Sequence, residues 1–266
     1  MERLRIACHC YTWGALTSVH TAPVFRQIAE AGYQGVEGLT FTSEADLVEA
    51  AASARGWGLQ IVNATGRTPG QTIRFNAALG NRAAEVWEGP VGDFGSPGMR
   101  HEDRFPLVAR FFEPLFAEAA RYNVQLTHHI HIGQLVETND HVDLLVRSMP
   151  QMGILFDTGH LLAKAGDPLR VIRDHGKRIN HVHLKDFHRS EHWSPENLDW
   201  KNSHFAPLGQ GNCGFDAAAI LGGLAKAGYE GWVSVEIDPQ PPLMAKGMSP
   251  FTMMKLSREH LQSVGF

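Results

Sequence analysis

Ile179-Asn180-His181-Val182-His183-Leu184-Lys185-Asp186 decides how this chain folds. Successive side chains of a strand point to opposite faces. Val182 and Leu184 share one face, which Asn180 breaks at its start, while His181, His183 and Lys185 share the other. A strand that packs helices with its apolar face turns its polar face into a barrel, so these three residues are expected to point inward. Short β-branched segments of the same kind recur along the chain: Leu4–Cys10, Gly35–Gly38, Leu59–Asn63, Glu85–Glu88, Val124–His129, Gly153–Asp157 and Trp232–Ile237.

Amphipathic stretches lie between them, including Ala22–Ala31, Ala45–Arg55, Phe105–Tyr122, Pro168–His175 and Phe215–Ala227. Gly32, Gly56 and Gly228 follow three of these, as expected where a helix stops in a residue of positive φ. Eight strands, each followed by helix-like sequence, predict an α/β fold, a single (β/α)8 TIM barrel spanning 1–266. No Gly-x-Gly-x-x-Gly follows the first strand, which argues against a doubly wound dinucleotide fold. Two connections are unusually long, Gly89–Glu102 and Asp186–Gly214. Both follow strands and so belong to the C-terminal face, where barrel enzymes keep their chemistry.

Composition narrows the function. The 266 residues carry 24 Lys+Arg against 28 Asp+Glu, a net charge of −4, with no basic surplus to neutralise phosphates. No nucleic-acid partner is expected. No apolar run approaches the ~20 residues of a membrane span, and Met1–Cys8 lacks the pattern of a signal peptide. A cytoplasmic protein is therefore expected. Three cysteines make no disulfide framework; Cys8 and Cys10 fall on the helix-facing side of the first strand. Fifteen histidines are many for this length, and their positions matter more than their number.

Strand five turns Gln125, Thr127, His129 and His131 inward, strand six ends in Asp157-Thr158-Gly159-His160, and strand eight ends in Glu236. Four successive strands thus end in an inward His, Asp or Glu. Asp157, His183, Glu236 and one group from strand five make a mixed nitrogen and oxygen set for one divalent metal ion. The absence of thiolates favours Mn, Co, Mg or a catalytic Zn over a structural zinc. His9 points inward from strand one. Trp13, Glu37 and Glu88 lie at strand ends, to line the pocket or close the barrel top. His188, His192, Trp193, Trp200 and His204 sit in the long seventh loop, either as a polar surface loop or as a substrate lid.

With these residues in place the chain resembles the xylose-isomerase-like TIM-barrel superfamily of sugar phosphate isomerases, epimerases and dehydratases. The matching pieces are Phe156–His160, His181–Asp186, Pro207-Leu208-Gly209-Gln210-Gly211 and Gly228–Glu236, in the right order through the second half of the chain. The run His129-Ile130-His131-Ile132-Gly133-Gln134-Leu135-Val136-Glu137-Thr138 is similar to the strand-five signature of the inosose dehydratase branch, with Gln134 in place of a threonine. The Glu236-Ile237-Asp238-Pro239 ending is similar to that branch as well.

The resemblance implies that Asp157, His183 and Glu236 bind the metal and that His160 meets the substrate. The strand-five glutamate of the ketose epimerases is replaced here by His129, so the fourth ligand is either His129 or Glu137 folding back. It further implies proton abstraction beside a carbonyl, with Glu236 or Glu137 as base and His160 or Lys185 as acid. His9, Trp13, Glu37, His131, His160 and His181 are the candidate substrate contacts. The expected activity is that of an inosose-dehydratase-like lyase on a keto-polyol or keto-sugar. The alternatives are a sugar or sugar-phosphate isomerase or epimerase, β-elimination of a 3-keto-glycoside, and a binding barrel without turnover. The partner is a small sugar or polyol, no membrane is involved, and a homo-oligomer is left open.

Overall fold

The structure is a computed structural model that describes residues 4–14, 21–239, 243 and 247–266. Met1–Arg3, part of the N-terminal stretch read above, lie outside the described residues. The strands are β1 (Arg5–His9), β2 (Gly35–Glu37), β3 (Gln60–Ile61), β4 (Ala83–Glu85), β5 (Gln125–His129), β6 (Gly153–Asp157), β7 (Ile179–Leu184), β8 (Asp186–His188), β9 (His204–Ala206) and β10 (Trp232–Val235). Eight of them form one parallel sheet in the order β3-β2-β1-β10-β7-β6-β5-β4, curled into the TIM barrel. β8 and β9 pair antiparallel as a hairpin within the long seventh connection.

Helices α1 (Thr21–Glu30), α2 (Glu44–Gly56), α3 (Pro69–Ala78), α4 (Phe105–Arg121), α5 (Asn139–Ser148), α6 (Thr158–Ala163), α7 (Pro168–His175), α8 (Ala217–Lys226) and α9 (Pro250–Ser263) link the strands and close the chain. Ser43, Thr68, Thr138, Asp167, Asp216 and Ser249 each accept a first-turn N–H and so start a helix where its donors are unpaired. No helix among the described residues is long and apolar enough to cross a membrane.

Two expectations are corrected. The fourth strand is Ala83–Glu85, and Glu85–Glu88 shares only its first residue with it. Beyond Glu85 the chain leaves the ladder with β5: Trp87 is 58% exposed, and Glu88 turns to His128 Nε2 at 3.1 Å, on the side of β5 that packs Phe112 of α4. Glu88 therefore lies outside the barrel interior. Cys10 is not in β1; it opens a 3-10 turn, Cys10–Trp13, over which His9 folds its ring to accept from the Tyr11 N–H. Within the barrel, no backbone ladder joins β3 to β4 among the described residues. The side chain of Asn63 spans that seam, accepting from the Glu85 N–H at 3.0 Å.

A candidate metal and proton-transfer site

Register brings the central residues together. Asp157 pairs with His183 across β6 and β7, and Ser234 of β10 pairs with His183 on its other side. Asp157 splits its two oxygens between tasks. Oδ1 accepts from the His160 N–H at 2.9 Å and caps α6. Oδ2 lies 3.3 Å from His129 Nε2, 3.7 Å from His183 Nδ1 and 3.6 Å from Lys185 Nζ. Glu236, one residue past β10, brings Oε2 to 2.8 Å from His183 Nδ1 and 3.2 Å from Lys185 Nζ. The Asp157, His183, Glu236 and His129 donors thus converge at the C-terminal ends of four strands.

A layer of carboxylates lies beneath them. Glu37 is fully buried and accepts from His183 Nε2 at 2.9 Å, His181 Nε2 at 2.8 Å, Asn63 Nδ2 at 2.7 Å and the Ser234 hydroxyl. Burial alone would raise its carboxyl, but the two imidazoles outweigh that and hold it well below the usual range. Glu85 accepts from His129 Nδ1 at 2.9 Å and from Asn63 Nδ2 at 3.1 Å.

Lys185 is 1% exposed. Its Nζ donates to Asp238 Oδ1 at 3.0 Å and to His160 Nε2 at 3.1 Å, and it rests 4.6 Å over the Phe205 ring of β9. Burial opposes its charge, yet Asp238, Glu236 and Asp157 more than offset that and raise its pKa. His160 stays neutral at neutral pH, because burial and then the Lys185 ammonium push it well below its ordinary value. Since Nε2 accepts from Lys185, the ring carries its proton on Nδ1, a buried atom with no hydrogen-bond partner among the described residues. The His131 ring lies tilted against that of His160 with centroids 3.8 Å apart, and burial, with His129 and Lys185 nearby, pushes it down to about 4. His9 reaches Glu236 Oε1 at 3.7 Å.

Two sequence candidates stand apart from this group. Trp13 donates its indole N–H to Gln27 of α1 at 2.8 Å. Glu137 accepts from the Gly133 N–H at 2.5 Å and faces Lys164 Nζ, at the end of α6, at 3.7 Å, so its side chain is engaged away from the central donors. In the seventh connection Trp200 meets Phe187 edge-on and Phe205 at a tilt, and the Phe205 ring centroid lies 5.0 Å from that of His160, a roof at the edge of the site. Sequence reading missed Asn63, Glu85 and Phe205. Asn63 ends a segment read only as strand, and Glu85 stood at the start of a strand placed two residues too late. Asp238 was visible in the Glu236–Pro239 run but had been given no role.

The donor set suits a divalent cation. His129, Asp157 and His183 offer ligand atoms all within 4.8 Å of one another, as do His9, Glu37 and His183. Among the described residues, His183 Nδ1 and Glu236 Oε2 are buried without an aligned hydrogen-bond partner, although they face each other. They lie 2.8 Å apart, and Glu37 and Glu236 outweigh burial to raise the His183 imidazole, so a divalent ion would enter by replacing the proton that Nδ1 shares with Glu236.

The family model for the xylose isomerase-like TIM barrel matches residues 25–255. The rhizopine catabolism protein MocC of Rhizobium meliloti is 34% identical over 170 residues, 62% of this chain and 51% of that protein. The inosose dehydratase of Lacticaseibacillus casei is 30% identical over 171 residues, 61% of this chain and 55% of that protein. The chain thus spans about half the length of these curated relatives. A solved structure of the IolI protein with a bound zinc atom superposes with a TM-score of 0.68, at 15% identity and 97% coverage of both chains. With its eight parallel strands and the matched region covering most of its length, the chain belongs to the xylose isomerase-like TIM-barrel family.

Proposed function

We propose that the protein is a divalent-metal-dependent lyase that removes water from a keto-polyol or keto-sugar, with inosose as the first substrate to test. The observation that carries this reading is the meeting of His129 Nε2, Asp157 Oδ2, His183 Nδ1 and Glu236 Oε2 beside a buried, charged lysine. Similarity to inosose dehydratases at 30% identity supports the substrate class. In this reading Asp157, His183, Glu236 and His129 hold the ion, and Glu137 is neither ligand nor base.

A bound divalent ion supplies Lewis-acid polarisation of the substrate carbonyl, which acidifies the neighbouring C–H. Glu236, held as carboxylate because His9, Lys185 and His183 outweigh its burial, takes that proton. The C–H electron pair forms the new C=C bond as the β-C–O bond breaks. Lys185 gives a proton to the departing hydroxyl, which leaves as water. Its lost proton returns from Glu236, 3.2 Å away, so the cycle closes. His160 offers its Nδ1–H to a substrate hydroxyl, and Phe205 with Trp200 screens the site from water.

Proton NMR in D2O with 2-keto-myo-inositol tests the reaction, with Mn2+ added for turnover and removed before acquisition. Replacement of ring signals by those of a dehydrated enone or diketone is the expected result. Deuterium uptake without loss of water would instead indicate isomerase or epimerase chemistry. Ketohexoses and 3-keto-glucosides are the next substrates if inosose is inert. Asp157→Ala should lose both bound metal and turnover; full activity in a metal-free variant would refute the metal mechanism. Lys185→Met should keep the metal and lose roughly 10²- to 10⁴-fold in kcat, the range for one general acid.

A further inference from the structure

We propose that Asn63 is a positioning residue which, through Glu37 and Glu85 together, sets the tautomers of His183 and His129 so that each presents its bare ring nitrogen to the metal. The inference rests on the metal-site reading above.

Asn63 uses its whole amide. Nδ2 gives one hydrogen to Glu37 Oε1 at 2.7 Å and the other to Glu85 Oε2 at 3.1 Å, while Oδ1 takes the Glu85 N–H at 3.0 Å. The orientation is fixed by that last bond, because a flipped amide would set an NH2 against an N–H. The two carboxylates are acceptors only, so each keeps a proton on the imidazole nitrogen that faces it, and a metal ion can displace only the proton on the opposite nitrogen. Glu37 Oε1 takes the hydrogen of His183 Nε2, and Nδ1 is left to face Glu236 and Asp157. Glu85 Oε1 takes the hydrogen of His129 Nδ1, and Nε2 is left to face Asp157. The two histidines thus use opposite ring nitrogens, and one amide sits behind both choices. It also places a donor between two ionised carboxylates, which would otherwise repel each other with nothing between them.

The backbone is built for this residue. Asn63 has φ 46°, a left-handed conformation that Asn adopts more readily than most side chains. It stands where β3 ends without a ladder to β4. A cavity of about 500 Å³ at the N-terminal mouth reaches Asn63 and His181, so backbone does not seal the seam behind them. The rival account is that Asn63 merely fastens the seam. The two differ in what they change: a fastener affects the stability of the metal-free protein, whereas a positioning residue changes metal affinity.

The test uses Co2+ as the probe, with titration calorimetry for Kd, the visible cobalt spectrum for the donor set, and melting of the metal-free protein. Asn63→Gly accepts the backbone angle and removes all three hydrogen bonds. Glu85→Gln keeps the shape, but its NH2 can donate to His129 Nδ1 and drive the proton onto Nε2, closing that nitrogen to metal. Each variant is expected to raise the Co2+ Kd about 10- to 100-fold, as for other groups that orient metal-bound histidines. Glu85→Gln should also alter the cobalt bands. If Asn63→Gly does not fold, Glu85→Gln carries the test alone. A Kd within twofold of wild type in the folded variants overturns the proposal, whether or not the melting temperature falls. Failure of the unmodified protein to bind Co2+ removes the metal site itself, a different result from a site that binds Co2+ without needing Asn63.

Discussion

At the scale of the residue, the pair Glu85 and His129 ties the site to pH. Burial would raise the Glu85 carboxyl, but the His129 imidazole beside it wins and lowers it from 4.5 to about 2. Burial would lower His129, but Glu85, with Asp157 on the other nitrogen, raises it from 6.5 to about 9. A depressed acid contributes stability above its unfolded value and loses it as pH falls, here from 4.5 to about 2. A raised histidine contributes stability below its unfolded value and loses it as pH rises, here from 6.5 to about 9. The contribution of this pair to the melting temperature of the metal-free protein should therefore be greatest between these windows and be lost from pH 6.5 to 9. Metal binding requires His129 Nε2 to be bare, so Co2+ affinity should rise over that same interval. Opposite slopes are the signature, read by melting and by calorimetry at matched ionic strength. Parallel slopes would mean that His129 is not a ligand.

The element scale shows why the Asp157–His160 turn has the sequence it has. A Cβ on Gly159 would lie 2.3 Å from Lys185 Cβ and 3.1 Å from the Phe205 ring, and Lys185 Cβ is anchored to a barrel strand. Gly159→Ala must therefore push α6 away from β7, at a cost of roughly 1–3 kcal/mol for such overpacking. Because α6 carries His160 and is capped by Asp157, kcat should fall beyond what the loss of stability explains; calorimetric melting with steady-state kinetics separates the two. An unchanged melting temperature would show that the helix shifts freely. This turn was legible in sequence, as was the inward face of β7, because period-two alternation marks both sides of a long strand. The seam between β3 and β4 was not. β3 is two residues long and β4 three, too short for alternation to show, and Val86-Trp87-Glu88 is more strand-like than Ala83-Ala84-Glu85. Tertiary pairing with β5 chose the weaker segment, and Glu85 with it. Asn63 was hidden for a related reason: its role depends on φ and on partners 22 and 26 residues away, which no local pattern encodes.

Across the whole molecule, the candidate ligands are unevenly distributed. His129 and Asp157 end β5 and β6, His183 is the penultimate residue of β7 and Glu236 follows β10, so all four come from one continuous arc of the sheet. The opposite arc holds the seam, where a side chain replaces a ladder. A cation that binds only the folded chain stabilises it by roughly 4 kcal/mol at a thousandfold excess over Kd. For a chain of this size that is a rise in melting temperature of roughly 8 °C, at about 2 °C per kcal/mol. The gain should not be spread evenly. Amide hydrogen exchange should slow most in β5, β6, β7 and β10, whose ends the ion joins, and least in β2. β3 and β4 form the informative case, because neither supplies a ligand, yet Asn63 and Glu85 connect both to His129. If the seam is coupled to the ion through those side chains, its exchange should slow with Co2+ in the unmodified protein and not in Asn63→Gly. Uniform slowing in both proteins would show that the ion stabilises the barrel globally, with no special path through the seam.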